Sequence, residues 1–107
     1  RLEFYDAIRV ISNNSVSCCV WEVLIDNQSC PSGPMIIPRW NQDTGYNNIH
    51  VQANNVFYCS GIEKGPHQIS IHVSGCSTIN SNYPNGDCYT GTVSSSSWSI
   101  SAEEINP

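Results

Sequence analysis

Six cysteines and three histidines are the residues of this chain whose types could do chemistry. The cysteines are Cys18, Cys19, Cys30, Cys59, Cys76 and Cys88; the histidines are His50, His67 and His72. Structural zinc sites are built from cysteine pairs separated by two to four residues, and no pair here has that spacing. The cysteine number is even and the rest of the chain is rich in Ser, Asn and Gly, which favours a secreted, disulfide-bonded domain. A bond between the adjacent Cys18 and Cys19 would strain the peptide joining them, so pairings that contain it are set aside, and the others stay open. In a strand the two side chains point to opposite faces. One can bond within the core and the other toward a different sheet or subunit.

Other constellations are weaker. Ser, His and Asp all occur, but there is no Gly-x-Ser-x-Gly nucleophile elbow. His50 and His72 fall on the polar faces of candidate strands, as surface or interface histidines do. Reactive thiols at Cys18 or Cys19 would need a nearby cation and a reducing compartment, and the sequence offers neither. Asp26, Asp43, Asp87, Glu103 and Glu104 could bind calcium or act as an acid–base pair, but none lies in an EF-hand pattern. Catalytic residues, metal ligands and cofactors are therefore all predicted as none. Trp21 and Trp98 alternate with small or polar residues and read as core. Trp40 and Tyr46 fall in a predicted loop and are the candidates for surface recognition, since exposed aromatics stack on sugars or anchor a protein partner. Asn13-Asn14-Ser15 and Asn27-Gln28-Ser29 fit the N-glycosylation pattern, so glycans are expected at Asn13 and Asn27.

The elements that must position these residues are short strands. The densest apolar run is Cys18 to Ile25. With period two, one face carries Cys19, Trp21, Val23 and Ile25; the other carries Val16, Cys18, Val20 and Leu24, interrupted by Glu22. A half-buried strand is polar on one side. This one is apolar on both, so either its core is multilayered or a second subunit covers its other face. Residues 1–11 read as a strand, with a short helix as the alternative. Met35 to Ile37 reads as a short edge strand stopped by Pro38, and Trp40 to Asn48 as a loop. Ile49 to Ala53 and Val56 to Cys59 read as two strands separated by Asn54-Asn55. Ile69 to Ser74 is the cleanest strand, Gly75 to Asn82 a polar loop, Tyr83 to Gly86 a turn, and Ser97 to Ala102 the last strand. No amphipathic helix of ordinary length appears. The fold class is all-β: a sandwich, barrel or jelly roll.

The 107 residues suit a single domain over residues 1–107, with one modest core. Only 12% are charged, 4 basic against 9 acidic, a formal charge of -5, which gives no basic footprint for nucleic acid or anionic membranes. No apolar run approaches the ~20 residues that span a bilayer. Arg1 in place of an initiator Met implies a processed or trimmed piece of a longer protein.

In this order, several short elements resemble the C-terminal non-collagenous domain of the collagen triple-helix repeat-containing protein family. They are Cys18-Cys19 followed closely by Trp21, Cys30 with Ser32-Gly33-Pro34, and Ile49-His50. Cys59-Ser60-Gly61-Ile62 with Gly65, and the strand end from Ile71 to Cys76, come next. Tyr83-Pro84-Asn85-Gly86-Asp87 with Thr90-Gly91, Glu103-Glu104 and Pro107 complete the set. The resemblance covers about residues 6–107. It implies a secreted glycoprotein of the extracellular matrix in which a collagen-like segment precedes this domain. It implies a homotrimer and a jelly-roll sandwich like the complement and tumour-necrosis-factor-like heads. It links the chain to matrix remodelling, collagen deposition, cell migration and Wnt co-receptor complexes. There are departures. The family has a cysteine shortly before the adjacent pair, where Asn14 stands here; Cys88 is extra; residues 77–82 are longer; Thr92 replaces a tryptophan. Five shared cysteines cannot all pair among themselves, so at least one must change partner, bond between chains or stay free.

The leading expectation is a non-enzymatic trimerisation and recognition head that registers a collagen-like stalk. Its partners would be itself and matrix or cell-surface receptor proteins, with no nucleic acid and no membrane insertion. Val20, Leu24, Ile71 and Val73 are the residues expected at the trimer interface. The alternative is a monomeric lectin-like or receptor-binding module using Trp40, Tyr46 and the loops within residues 77–90. A secreted hydrolase is the third.

Overall fold

A computed structural model describes residues 1–12, 16–41, 47–90 and 99–103. Seven strands are described: β1 (Leu2–Ser12), β2 (Ser17–Ile25), β3 (Met35–Asn41), β4 (Asn47–Phe57), β5 (Ile69–Gly75), β6 (Asp87–Thr90) and β7 (Ser99–Ala102). A short 3-10 helix, Cys76–Thr78, follows β5. All the strand pairings are antiparallel. One sheet has the order β4-β1-β6, with β7 paired to β1 further along the edge that β6 occupies; the other has the order β3-β2-β5. The all-β expectation holds. Jelly-roll connectivity is an eight-strand arrangement and goes beyond the seven described strands.

The two sheets close on one core. Along β1 the inward positions are Leu2, Phe4, Ile8 and Val10, all buried, with Asp6 buried among them. Along β2 the inward positions are Cys19, Trp21, Val23 and Ile25, joined by Met35 and Ile37 of β3. Trp21 is the largest fully buried side chain. Both apolar sets repeat with period two, so the strand pleat alone carries them to one side of each sheet. The side-chain amide of Asn41, at the end of β3, donates to the Val10 carbonyl of β1 at 3.2 Å and ties the sheets together where both strands are buried.

Three sequence expectations change. β3 runs on through Pro38 to Asn41, so Trp40 lies in a strand rather than a loop. Pro38 is tolerated because β3 is at the edge of its sheet, where a missing N–H costs no ladder bond. β4 is one strand of 11 residues rather than two, because Asn54 and Asn55 stay paired with Tyr5 and Phe4. β6 lies within residues 77–90, which the sequence reading counts among the loops; it forms against Ile8 to Ile11 of β1. Its four residues are too few for an alternation to register in the sequence.

At the end of β2, Asp26 and Asn27 both have left-handed backbone, φ 53° and 62°. Ile25 and Gln28 exchange both backbone hydrogen bonds across them, 2.9 and 3.0 Å. This is the two-residue turn that needs positive φ at both central positions, and Asp and Asn are the non-glycine residues that best tolerate it.

Candidate functional site

The adjacent cysteines do opposite things, as alternation requires. Cys19 points inward and bonds to Cys88 of β6, linking one sheet to the other through the core (Cα–Cα 5.8 Å). Cys18 points to the outer face and bonds to Cys76 in the 3-10 helix after β5 (Cα–Cα 5.4 Å). Cys30 and Cys59 join the β2–β3 and β4–β5 connections. No cysteine is free. Cys88 is thus the partner of Cys19, and all six cysteines pair inside one chain.

The outer face of the three-stranded sheet follows from register. Cys18 lies opposite Trp40, Val20 opposite Pro38 and Glu22 opposite Ile36; toward β5, Val20, Glu22 and Leu24 face Ser74, His72 and Ser70. Val20 is only 2% exposed, because it packs with Cys18, Cys76 and Ile36 under the disulfide. The two-sided apolar character of β2 is therefore satisfied in part by its own chain. Leu24 is half-buried on this outer face. Ile71 and Val73 are on the other one: they pair with Val23 and Trp21 and pack on the main core. The four residues expected at an interface do not share a face.

Trp40 stands on the outer face beside the Cys18–Cys76 bond, 43% exposed. The ring of Tyr83, 40% exposed, meets it edge-on at 5.4 Å between centroids and 73° between planes. The loop that carries Tyr83 is held by a local network. Ser77 N donates to the Asn85 side-chain oxygen Oδ1 at 3.0 Å, Asn82 N to Asn80 Oδ1 at 3.0 Å, and the Thr78 hydroxyl to Gly75 O at 2.9 Å. An exposed aromatic pair bordered by amides and hydroxyls can stack on a flat apolar or sugar surface. Tyr83 lies in the loops within residues 77–90 that the alternative reading uses together with Trp40, but no spacing in the sequence pairs the two rings. On the other sheet, the Arg9 guanidinium lies 4.3 Å above the Tyr89 ring.

A second cluster joins residues that sequence spacing did not connect. His67 Nδ1 lies 2.6 Å from Asp26 Oδ2, and His67 Nε2 lies 2.5 Å from the Glu63 carbonyl. Gln68 N donates to Asp26 Oδ1 at 2.9 Å. The backbone bond from Gln68, then the one from His67, hold the Asp26 carboxyl below its ordinary range. The bond to Asp26, then the one to Glu63, push His67 above its ordinary value. Forty-one positions separate the pair, so no local pattern could have signalled it.

Asn27 is exposed at the apex of its turn. Asn13, Tyr46 and Trp98 lie outside the described residues, as does the side chain of His50; His72 is exposed opposite Glu22. Among the described residues no three His, Cys, Asp or Glu side chains group as metal ligands would, and no helix is long and apolar enough to cross a membrane.

The fold and its bridges define a disulfide-bonded, two-sheet β domain. Residues 1–100 match the family described as CTHRC1, C-terminal domain, and the chain belongs to that family. The family is collagen-related and associated with the extracellular matrix, and its domain is non-catalytic. No curated protein and no solved structure matches the chain.

Proposed function

We propose that this domain is a secreted, non-enzymatic head that trimerises and registers a collagen-like stalk. The observation that carries the reading is the family match over residues 1–100. Three heads that associate bring three chain ends together at high effective concentration, which lowers the entropic cost of nucleating a triple helix. Since all six cysteines pair within one chain, association in this reading is non-covalent. Of the four residues expected at the interface, Leu24 is the one that belongs to neither core cluster and is proposed as a partner contact; Val20 is buried, and Ile71 and Val73 are half-buried against the main core. The acceptor at Asn27 is proposed to carry a glycan, at a turn apex with room for it. Light scattering on the purified chain should give about three times 11.8 kDa per unmodified chain, and a non-reducing denaturing gel a single-chain band. A monomer at micromolar concentration refutes the trimer.

The second reading is a recognition module, and the Trp40–Tyr83 pair favours it. A glycan array or receptor pull-down tests it: binding that survives Trp40→Ala would remove this surface from the reading.

A further inference from the structure

The connection from β4 to β5 is fastened at two points. At one end Cys59 bonds to Cys30, and Ser60 N donates to Ser32 Oγ at 3.2 Å. At the other, His67 sits on Asp26 and Asp26 N donates to Gln68 O at 2.7 Å. Between them residues 60–68 are exposed, and Gly61 and Gly65 have positive φ, 82° and 133°. The stretch forms one wall of an open groove whose lining includes Leu2, Ile25 and Ile69 with Tyr58 and Ile62. Tyr58 is 68% exposed there.

The two contacts of His67 fix its protonation state. A backbone carbonyl can only accept, and so can an ionised carboxylate. Both ring nitrogens must therefore donate, and only the imidazolium has two N–H groups. A neutral ring can keep one of the two bonds and must give up the other.

We propose that His67 is a pH-sensitive fastener that holds the β4–β5 connection against the Asp26-Asn27 turn and so fixes one wall of the groove. The charged groups around it are Asp26 from the turn, Glu63 and Lys64 from its own connection, and Arg1 and Glu103, which line the same groove. Arg1 is paired with Glu3 and Glu103, at 3.4 and 3.6 Å. The sign follows from the two shifts. The His67 value is raised in the folded chain, so its contribution is complete below the ordinary value of 6.5 and is lost as pH rises through the folded value. The Asp26 value is lowered, so its contribution is complete above the ordinary 3.8 and is lost as pH falls through the folded value. The fastener is closed in mild acid and opens toward alkaline pH.

Hydrogen exchange of the whole chain, corrected for the intrinsic pH dependence of exchange, reads this directly. Protection of residues 60–68 should fall as pH rises from 5.5 to 9, while the β2 and β5 strands keep theirs. In His67→Gln, which can bridge without titrating, protection of the same residues should not vary with pH. An NMR titration of the His67 ring in the unmodified sequence should give a midpoint above that of the same residue in the urea-unfolded chain. Protection of 60–68 that does not change with pH, or a midpoint at or below the unfolded one, would overturn the proposal.

Discussion

Removing the two disulfides of the adjacent cysteines should destabilise the domain by more than the sum of removing each. Cys18–Cys76 and Cys19–Cys88 enclose almost the same stretch of chain, 58 and 69 positions. While one of them is present, the other closes only a ring of roughly 14 residues, through the adjacent pair and the segment from Cys76 to Cys88. The chain-entropy relation gives such a ring ~3 kcal/mol at 25 °C. Removing the second bridge as well frees the larger loop, which Cys30–Cys59 shortens to roughly 41 residues and ~4 kcal/mol. Cys19→Ala with Cys88→Ala should therefore cost about 3 kcal/mol, Cys18→Ala with Cys76→Ala about the same, and all four about 7 kcal/mol, an excess of ~1 kcal/mol over the sum. Non-reducing urea denaturation with linear extrapolation measures each term. The four-alanine chain needs a stabilising salt such as sulfate in every sample, because ~7 kcal/mol is comparable with the whole stability of a small domain. A four-alanine cost no larger than that of one pair would refute the shared ring, and with it the observed pairing.

Two other perturbations test the packing behind the candidate sites. A Cβ on Gly75 would fall on the Asn85 side chain, which Ser77 N holds in place, so Gly75→Ala should cost about 1–3 kcal/mol and Asn85→Gly should recover part of it, both read by thermal unfolding. The edge-on contact of Trp40 and Tyr83 should give a coupling of about 0.5–1.5 kcal/mol in a double-alanine cycle; a coupling near zero would mean that the pair does not hold the loop.

The strands with a buried face were legible because the pleat writes itself into the sequence at period two. Leu2, Phe4, Ile8 and Val10 alternate as β1 requires, although a short helix is the other reading there, and the two faces of Cys18 to Ile25 are found as the pattern divides them. Where composition opposed that pattern, the neighbouring strand decided. Asn54 and Asn55 carry turn chemistry, yet the ladder with β1 runs past them without interruption. Pro38 can end a strand, but at an edge it costs β3 nothing. In both cases the information lies in pairing partners that are distant in sequence.

The candidate surfaces show the same division more sharply. Period two gives the face of a side chain only relative to its own strand. It cannot say that the inward face of β5 is the one carrying Ile71 and Val73, because that depends on which β2 residues lie opposite. Register settles this: Val73 faces Trp21 and Ile71 faces Val23, so both lean on the core side, half-buried. Nor can it show that a disulfide and a helical turn will close over Val20. What the chain leaves uncovered is set by these long-range contacts: Leu24 on one face, the Trp40–Tyr83 pair beside Cys18–Cys76, and the groove wall pinned by His67 on Asp26. The cysteines bear most of this arrangement. Cys76 lies directly after β5 and begins the connection that carries Tyr83, and Cys59 begins the one that carries His67. Each bridge therefore fixes the start of a segment whose far end makes an exposed contact, and the exposed contacts inherit their positions from bonds that are themselves buried or half-buried.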